Sequence, residues 1–402
     1  MKDSQLYKVN KNKLHYLDGM RGLMAINVIL CHFVCVYYPQ MYFESAANQS
    51  YGFLSLFATT PLSITVNGNI AVLYFMALTG FLVGMSTFTK KSQGISFFVK
   101  KTISRYTRLL PVIFFTTLIT YFMMVFDLQK HLAITDNLVN KYFLQCYCNF
   151  TPTIKSLLIN IFIKPFLLGS DYVGPFWTIH CEFLGYILVL FLAMTLRNNK
   201  YRRLLYIGVA LLVIAMTSLP VFDMYYAVFI MGLLVADLKF NNQNQTMLSK
   251  YYSSLLNSKW CLIISYLVGI YFSCCTMFST PLYSWWFSIP FVPKPLLRGV
   301  GISLLIFAFT QTPKIQKFLS CKPILLLGEC SFETYAIHWP LMLSLEAFLF
   351  IAFRDVMSYN ASALLSFFIT LIVIYFVSFL MHYSIKRCNE TFKKLNSKNN
   401  KL

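Results

Sequence analysis

Apolar runs as long as a bilayer is thick recur along nearly the whole of this 402-residue chain. About 20 apolar residues of helix cross the roughly 30 Å hydrocarbon core of a membrane. Ten such segments can be marked: Met20–Tyr38, Ser63–Thr87, Leu109–Phe126, Thr178–Leu196, Leu204–Leu219, Met224–Leu238, Trp260–Ser279, Leu296–Thr310, Phe332–Ala352 and Ala363–Ser384. Inside hydrocarbon only helices and closed barrels satisfy their own backbone polar groups. Barrel strands would show as short alternating segments, which these runs are not. The expected fold is therefore all-α: a polytopic integral membrane protein with about ten transmembrane helices. The sixth and eighth segments are short for a full span, so one is expected to be a half-helix or to be lengthened by its flanks.

Composition excludes the soluble alternatives. Hydrophobic residues are 57% of the chain and charged residues 12%, against about 25% charged in a soluble domain. The net charge of +20 raises the question of nucleic acid. Its distribution answers it, because the basic residues sit in short blocks between apolar runs, as the flanks of membrane helices do. A lipid bilayer, not nucleic acid, is the expected partner.

The same blocks set an orientation. With a cytoplasmic N-terminus, 26 of the 34 Lys and Arg fall on the inner side and 7 on the outer, Arg21 being the remaining one. Both termini are thus expected in the cytoplasm, at the inner or plasma membrane, with the Phe126–Thr178 connection outside. Residues 1–13 read as a basic tail, 14–385 as the transmembrane domain, and 386–402 as a mobile polar tail. The basic start followed by an apolar run resembles a signal peptide. Asp18 and Arg21 open that run, however, and no small-residue cleavage site follows before Tyr37-Tyr38-Pro39, so a retained first helix is expected. The 11 Cys show no metal or disulfide spacing. Cys31, Cys35 and Cys181 read as small core residues, Cys146 and Cys148 carry too weak a signal to assign, and no metal is expected.

Charged groups inside a membrane are costly and are functional candidates by default. Asp18, Arg21 and His32 share the first segment. Eleven residues separate Arg21 from His32, which places them on one helix face roughly 16 Å apart along the axis. Arg21 is expected at the cytoplasmic edge and His32 in the outer half. The plainer reading is an interfacial anchor and a hydrogen-bonded packing histidine. Arg105 and Arg108 are three apart and can face one anion together, since guanidinium forks suit phosphate oxygens. The plainer reading there is a basic flank against lipid headgroups. Glu182, in Trp177-Thr178-Ile179-His180-Cys181-Glu182, is expected about one turn inside the outer edge, near the depth of His32. Tyr335 and His338 are one turn apart and are candidates for a mutual hydrogen bond, or for helix-stabilising bonds alone. Gly80 and Gly84 read as a close-packing pair.

These residues together resemble the acyltransferase-3 membrane family, which includes bacterial O-antigen and other surface-polysaccharide O-acetyltransferases. Leu17-Asp18-Gly19-Met20-Arg21-Gly22-Leu23 running on to His32 resembles its first-helix signature, an Arg and a His separated by ten residues. Phe75-Met76-Ala77-Leu78-Thr79-Gly80-Phe81-Leu82 is similar to its second-helix motif. Arg105 to Arg108, followed by Leu-Leu-Pro, matches its RxxR element. Trp177 to Phe183 resembles W-T-L-S-x-E-F, and Ser331 to Pro340 resembles S-Y-S-x-Y-x-x-H-x-P. His180 and Glu333 stand where Ser is commoner, which is expected to reshape the acceptor side. The resemblance runs in family order from residue 14 to 340. It implies an acyl-CoA donor, usually acetyl-CoA, and a glycan or lipid-linked sugar acceptor, with no permanently bound cofactor. It also implies that Arg21, His32, Arg105 and Arg108 matter for activity.

The chemistry is consistent with those residues. Acyl transfer to a hydroxyl needs a base at the attacking oxygen. Neutral His32 suits that task, with Asp18 and Arg21 on the same helix and Glu182 expected to orient the imidazole or hold the acceptor. Arg105 and Arg108 are the candidates for the CoA phosphates, and Trp177, His180, Tyr335 and His338 for the acceptor. The rival reading is a transporter or flippase with the same groups lining a path, although no inverted repeat is visible.

Overall fold

The computed structural model describes residues 15–43, 52–89, 94–134, 144, 147–216, 224–241, 258–276, 279–289 and 295–399. The basic tail over 1–13 and Cys146 lie outside the described residues. The main helices are α1 (His15–Tyr37), α2 (Gly68–Phe88), α3 (Ile95–Val125), α4 (Trp177–Leu196), α5 (Arg202–Ala215), α6 (Tyr225–Phe240) and α7 (Lys259–Ser273). They are followed by α8 (Pro295–Phe309), α9 (Pro313–Leu319), α10 (Lys322–Glu329), α11 (Ser331–Leu341), α12 (Ala347–Arg354) and α13 (Tyr359–Asn399). Among the described residues there is no strand.

Each of the ten apolar segments coincides with a helix, but not all of these are span-length. Six helices are long and apolar enough to cross a membrane: α1, α2, α3, α4, the continuous rod from α11 through α12, and α13. A seventh candidate is α8 with α9, bent by 97° at the break between them. The helices α5, α6 and α7 have 14, 16 and 15 residues, short of a perpendicular crossing. The protein is a polytopic all-α membrane protein, and helix length alone supports six or seven crossings where ten were expected.

Side-chain size decides how the helices pack. Lipid tails are as apolar as Leu, so helices associate in a bilayer through close backbone approach at small residues. Helix α2 is the most enclosed, with 72% of its span buried. It crosses α6 so closely that a Cβ on Gly80 would lie 1.9 Å from the Phe229 carbonyl oxygen, and one on Gly232 1.8 Å from that of Ala77. At the rim, α3 and α13 are each 33% buried. They expose Phe114, Phe115 and Phe122, and Phe368, Ile372 and Phe376, respectively, an outward apolar face suited to lipid. The rod α11–α12 contains Pro340 and then a π turn over Met342–Glu346. A proline removes one backbone donor, and a local π adjustment is one way a helix accommodates this.

One expectation changes. The polar tail after Ser384 does not leave the helix, because α13 runs on to Asn399. The stretch from Lys386 contains no Gly or Pro to stop it. The connection before α4 is also ordered locally. Thr153 caps the helix Ile154–Phe162 through a capping box. Asn160 and Lys164 both donate to Asp171, at 2.9 and 2.6 Å. Burial opposes ionisation of Asp171, but these two donors outweigh it and hold the carboxyl below its ordinary range. This packing delivers Tyr172, Val173 and Phe176, all fully buried, to the start of α4.

Candidate active site

Two polar clusters occupy opposite ends of α1. The first surrounds His32. Its Nδ1 lies 2.9 Å from the carbonyl oxygen of Val28, one turn earlier on the same helix. His338, fully buried on α11, places its Nδ1 2.6 Å from the carbonyl oxygen of Tyr335 and its Nε2 3.3 Å from Nδ1 of His32. A carbonyl oxygen only accepts, so in the neutral rings both Nδ1 atoms carry the proton. His338 Nε2 then accepts from His32 Nδ1–H, and Nε2 of His32 is the nitrogen with the lone pair. The Trp339 ring packs against His32 at 4.7 Å between centroids, fixing the imidazole plane from a second side.

The start of α4 is tied to this cluster. The Tyr335 and Thr178 hydroxyls both point at the Pro175 carbonyl oxygen and lie 2.6 Å from each other. Trp177 is 40% exposed, and its ring lies 5.3 Å from that of Tyr225. His180 is half-buried on the same helix and lies 3.9 Å from the Cys181 sulfur through Nδ1.

The second cluster gathers charges from four helices. Arg21 donates to Asp18 at 3.0 Å, an i,i+3 pair on α1. Arg105 forms an ion pair with Glu182 of α4, the two side chains being only 15% and 17% exposed. Thr79 of α2 donates to the same carboxylate oxygen. The charges of Arg21 and Arg108 also act on Glu182, so three guanidinium groups surround one carboxylate. Arg108 itself makes no hydrogen bond or ion pair to a described residue and is exposed. Glu333 belongs to this region too: it accepts from His382 of α13 at 3.0 Å, and its charge acts on Arg108.

The geometry therefore regroups the candidates. Glu182 was expected beside His32, and instead it holds Arg105. Its partners are Thr79 of α2 and Arg105 of α3, and of the α1 side chains it is Arg21, not His32, whose charge acts on it. The group that fixes His32 is His338. Tyr335 and His338 are bonded, but through the Tyr335 backbone carbonyl and not its hydroxyl. Arg105 and Arg108 do not act as one open fork, since Arg105 is engaged by Glu182 whereas Arg108 pairs with no described carboxylate. Glu333 lies with the arginines and is held by His382. The His32–His338 contact links residues 306 positions apart, which spacing along one helix could not show. Thr79 stood in the sequence only as part of the Phe75–Leu82 segment, with nothing to single out its hydroxyl as a partner of Glu182.

Cys31 and Cys35 are buried as expected and unbridged, their sulfurs 4.0 Å apart. No cluster of three or more metal-ligating side chains occurs among the described residues.

A family model described as an acyltransferase domain, acyltransferase-3, matches residues 14–383. No curated protein and no solved structure matches the chain.

Proposed function

The chain belongs to the acyltransferase-3 family and is a membrane acyltransferase, and from that premise we propose that it moves an acetyl group from acetyl-CoA to a hydroxyl of a cell-surface or lipid-linked carbohydrate. The observation that carries this reading is the tautomer of His32. With Nδ1–H shared between Val28 and His338, Nε2 is a base oriented by two acceptors, which is what proton abstraction from an alcohol requires.

The step follows from that arrangement. His32 Nε2 takes the hydroxyl proton as the oxygen attacks the thioester carbonyl. The new C–O bond forms, the C–S bond breaks, and the imidazolium returns the proton to the departing CoA sulfur. His338 stabilises the imidazolium by accepting from Nδ1–H throughout, the role a carboxylate takes in a catalytic triad. Trp177, partly exposed near this cluster, offers an aromatic face to a sugar ring. His180 and Tyr335 complete that side, Tyr335 by fixing the entry of α4 and the orientation of His338.

The donor is proposed to enter from the other end. Arg108 is the guanidinium of the basic cluster that pairs with no described carboxylate, and it binds a CoA phosphate. Arg21 and Arg105 stay with Asp18 and Glu182 and set the local positive potential. Arg21 and His32 are separated by roughly 16 Å of helix, a gap that the extended pantetheine arm is suited to bridge. With the termini in the cytoplasm, as the basic flanks suggest, donor and base would face opposite halves of the membrane.

The test is transfer of labelled acetyl from acetyl-CoA to carbohydrate by membranes carrying the protein, compared with His32→Ala. Turnover is expected to fall by about 10²–10⁴. An equally active His32→Ala protein, at equal expression, would place the base elsewhere, with His180 the next residue to substitute.

A further inference from the structure

One fully buried cation takes no part in either cluster. Arg298, in the first turn of α8, is 1% exposed. Its Nε donates to the Cys275 carbonyl oxygen, and one Nη donates to Asn69 Oδ1 at 3.0 Å. Both partners are neutral. Among the described residues no carboxylate pairs with it, whereas Arg21, Arg105, Arg202 and Arg203 each have one. A guanidinium has five N–H donors, and an isolated buried charge is expensive unless paired. Arg298 also lines a cavity of about 220 Å³.

The walls of the cavity suit an anion carried on a polyol. Besides Arg298 they present the hydroxyl and amide groups of Tyr42, Ser63, Asn67 and Thr276, and the rest of the wall, including Phe43 and Phe57, is apolar and suited to the face of a sugar ring. The cavity also sits at the amino end of α2, where Asn67 caps the helix by accepting from Asn69 N–H. A helix amino end carries partial positive charge, so two independent features favour negative charge at one place. The volume is below the roughly 300–1,000 Å³ of pockets that enclose a drug-sized ligand, which fits one anionic group and part of a ring.

Its position ties it to the reaction. Met41 and Tyr42, at the cavity wall, follow the His32 end of α1. Asn69, the partner of Arg298, donates its Nδ2 to the Tyr225 hydroxyl at 3.1 Å. The Tyr225 ring packs on Trp177, whose neighbour Thr178 bonds Tyr335 in the turn that leads to His338. Two side chains, Asn69 and Tyr225, therefore link the cavity's Arg298 to the proposed acceptor surface.

We propose that Arg298 and this cavity bind an anionic group of the carbohydrate acceptor, a carboxylate or a phosphate, and so select acidic or phosphate-linked sugars over neutral ones. This rests on the carbohydrate reading of the acceptor. The test has a binding arm and a transfer arm. Purified full-length protein is heated with glucuronate, with glucose 1-phosphate, with inorganic phosphate, or with glucose as the neutral control. The transfer arm measures kcat/KM for methyl glucuronide and for glucose 1-phosphate relative to methyl glucoside.

Wild type is expected to melt higher with glucuronate or with the phosphates, but not with glucose, and to favour the matching anionic acceptor. Glucuronate alone identifies a carboxylate site, and the two phosphates alone identify a phosphate site. Arg298→Gln should abolish the melting shift and lower the anionic-to-neutral ratio at least tenfold. Asn69→Asp keeps the fold testable if Arg298→Gln misfolds, because it places a carboxylate on the same guanidinium and should neutralise the charge that attracts the anion, with the same two losses. Absence of a melting shift with every anion in wild type overturns the proposal, and so does a full shift in Asn69→Asp. Failure of acetyl transfer to every sugar would count against the carbohydrate acceptor, while the binding arm still decides the anion site.

Discussion

Replacing Glu182 by Gln tests whether the charge cluster is structural or open to substrate. Gln keeps the shape and removes the charge, so Arg105 is left as a guanidinium at 15% exposure with no counter-ion in contact. Breaking a buried pair from one side costs about 3–5 kcal/mol, because the surviving charge stays desolvated. The residual exposure of both partners, and the nearby Thr79 hydroxyl, put the expectation at the lower end, about 3 kcal/mol. In the same detergent, Glu182→Gln should melt several degrees below wild type, read as loss of the monodisperse peak after heating. The double substitution Arg105→Met with Glu182→Leu removes both charges and should recover most of that loss, since an apolar pair of similar volume is often neutral or better. A Glu182→Gln protein that melts with wild type would refute the reasoning, because it would mean that Arg105 does not depend on this carboxylate.

Four further outcomes follow from the same geometry. His338→Ala should lower turnover less than His32→Ala does, and the double variant should be little worse than His32→Ala, as groups acting as one unit give losses that do not add; fully additive losses would separate the two rings. Arg108→Ala should raise the KM for acetyl-CoA by roughly 10- to 100-fold, the loss of one charge-assisted phosphate contact of about 1.5–3 kcal/mol, while an unchanged donor KM would return Arg108 to a lipid-headgroup role. Gly232→Val must push α2 and α6 apart, because its Cβ would fall 1.8 Å from the Ala77 carbonyl oxygen, so extraction in mild detergent should give aggregated protein; a monodisperse, wild-type melt would contradict the crossing. His131, outside the spanning helices and bonded to the Tyr147 carbonyl at 3.1 Å, is pulled below the ordinary imidazole range by burial. The unfolded chain therefore takes up a proton before the folded one does, and stability is lost as pH falls below about 6.5. His131→Gln should flatten the acid side of a melting-temperature profile between pH 5 and 7, and an unaltered slope would exclude this group.

The chain's class was legible in the sequence because hydrocarbon leaves so few options. A bilayer-length apolar run must be a helix, and its depth-dependent polar residues are few enough to be picked out by eye. Thus each of the ten marked segments lies on a helix, and the Gly80 crossing followed from side-chain size alone. What stayed out of reach was length at the ends. Composition cannot distinguish the 15 residues of α7 from a full crossing, nor foresee that α13 would carry its polar end on to Asn399.

The site divides along the same line. Periodicity within one helix placed Arg21 and His32 on one face of α1, because 3.6 residues per turn is a local property. Which side chain on another helix meets them is not local. Glu182 belongs to Arg105 and Thr79, and His338 to His32, because of how whole helices are packed: close glycine contacts join α2 to α6 at Gly80 and Gly232 and α1 to α10 at Gly22 and Gly328. Arg298 makes the point most sharply. In the sequence it is one basic residue among seven assigned to the outer side. Only the packing of α8 against the start of α2 removes it from water, leaves it without a described carboxylate, and sets a cavity beside it.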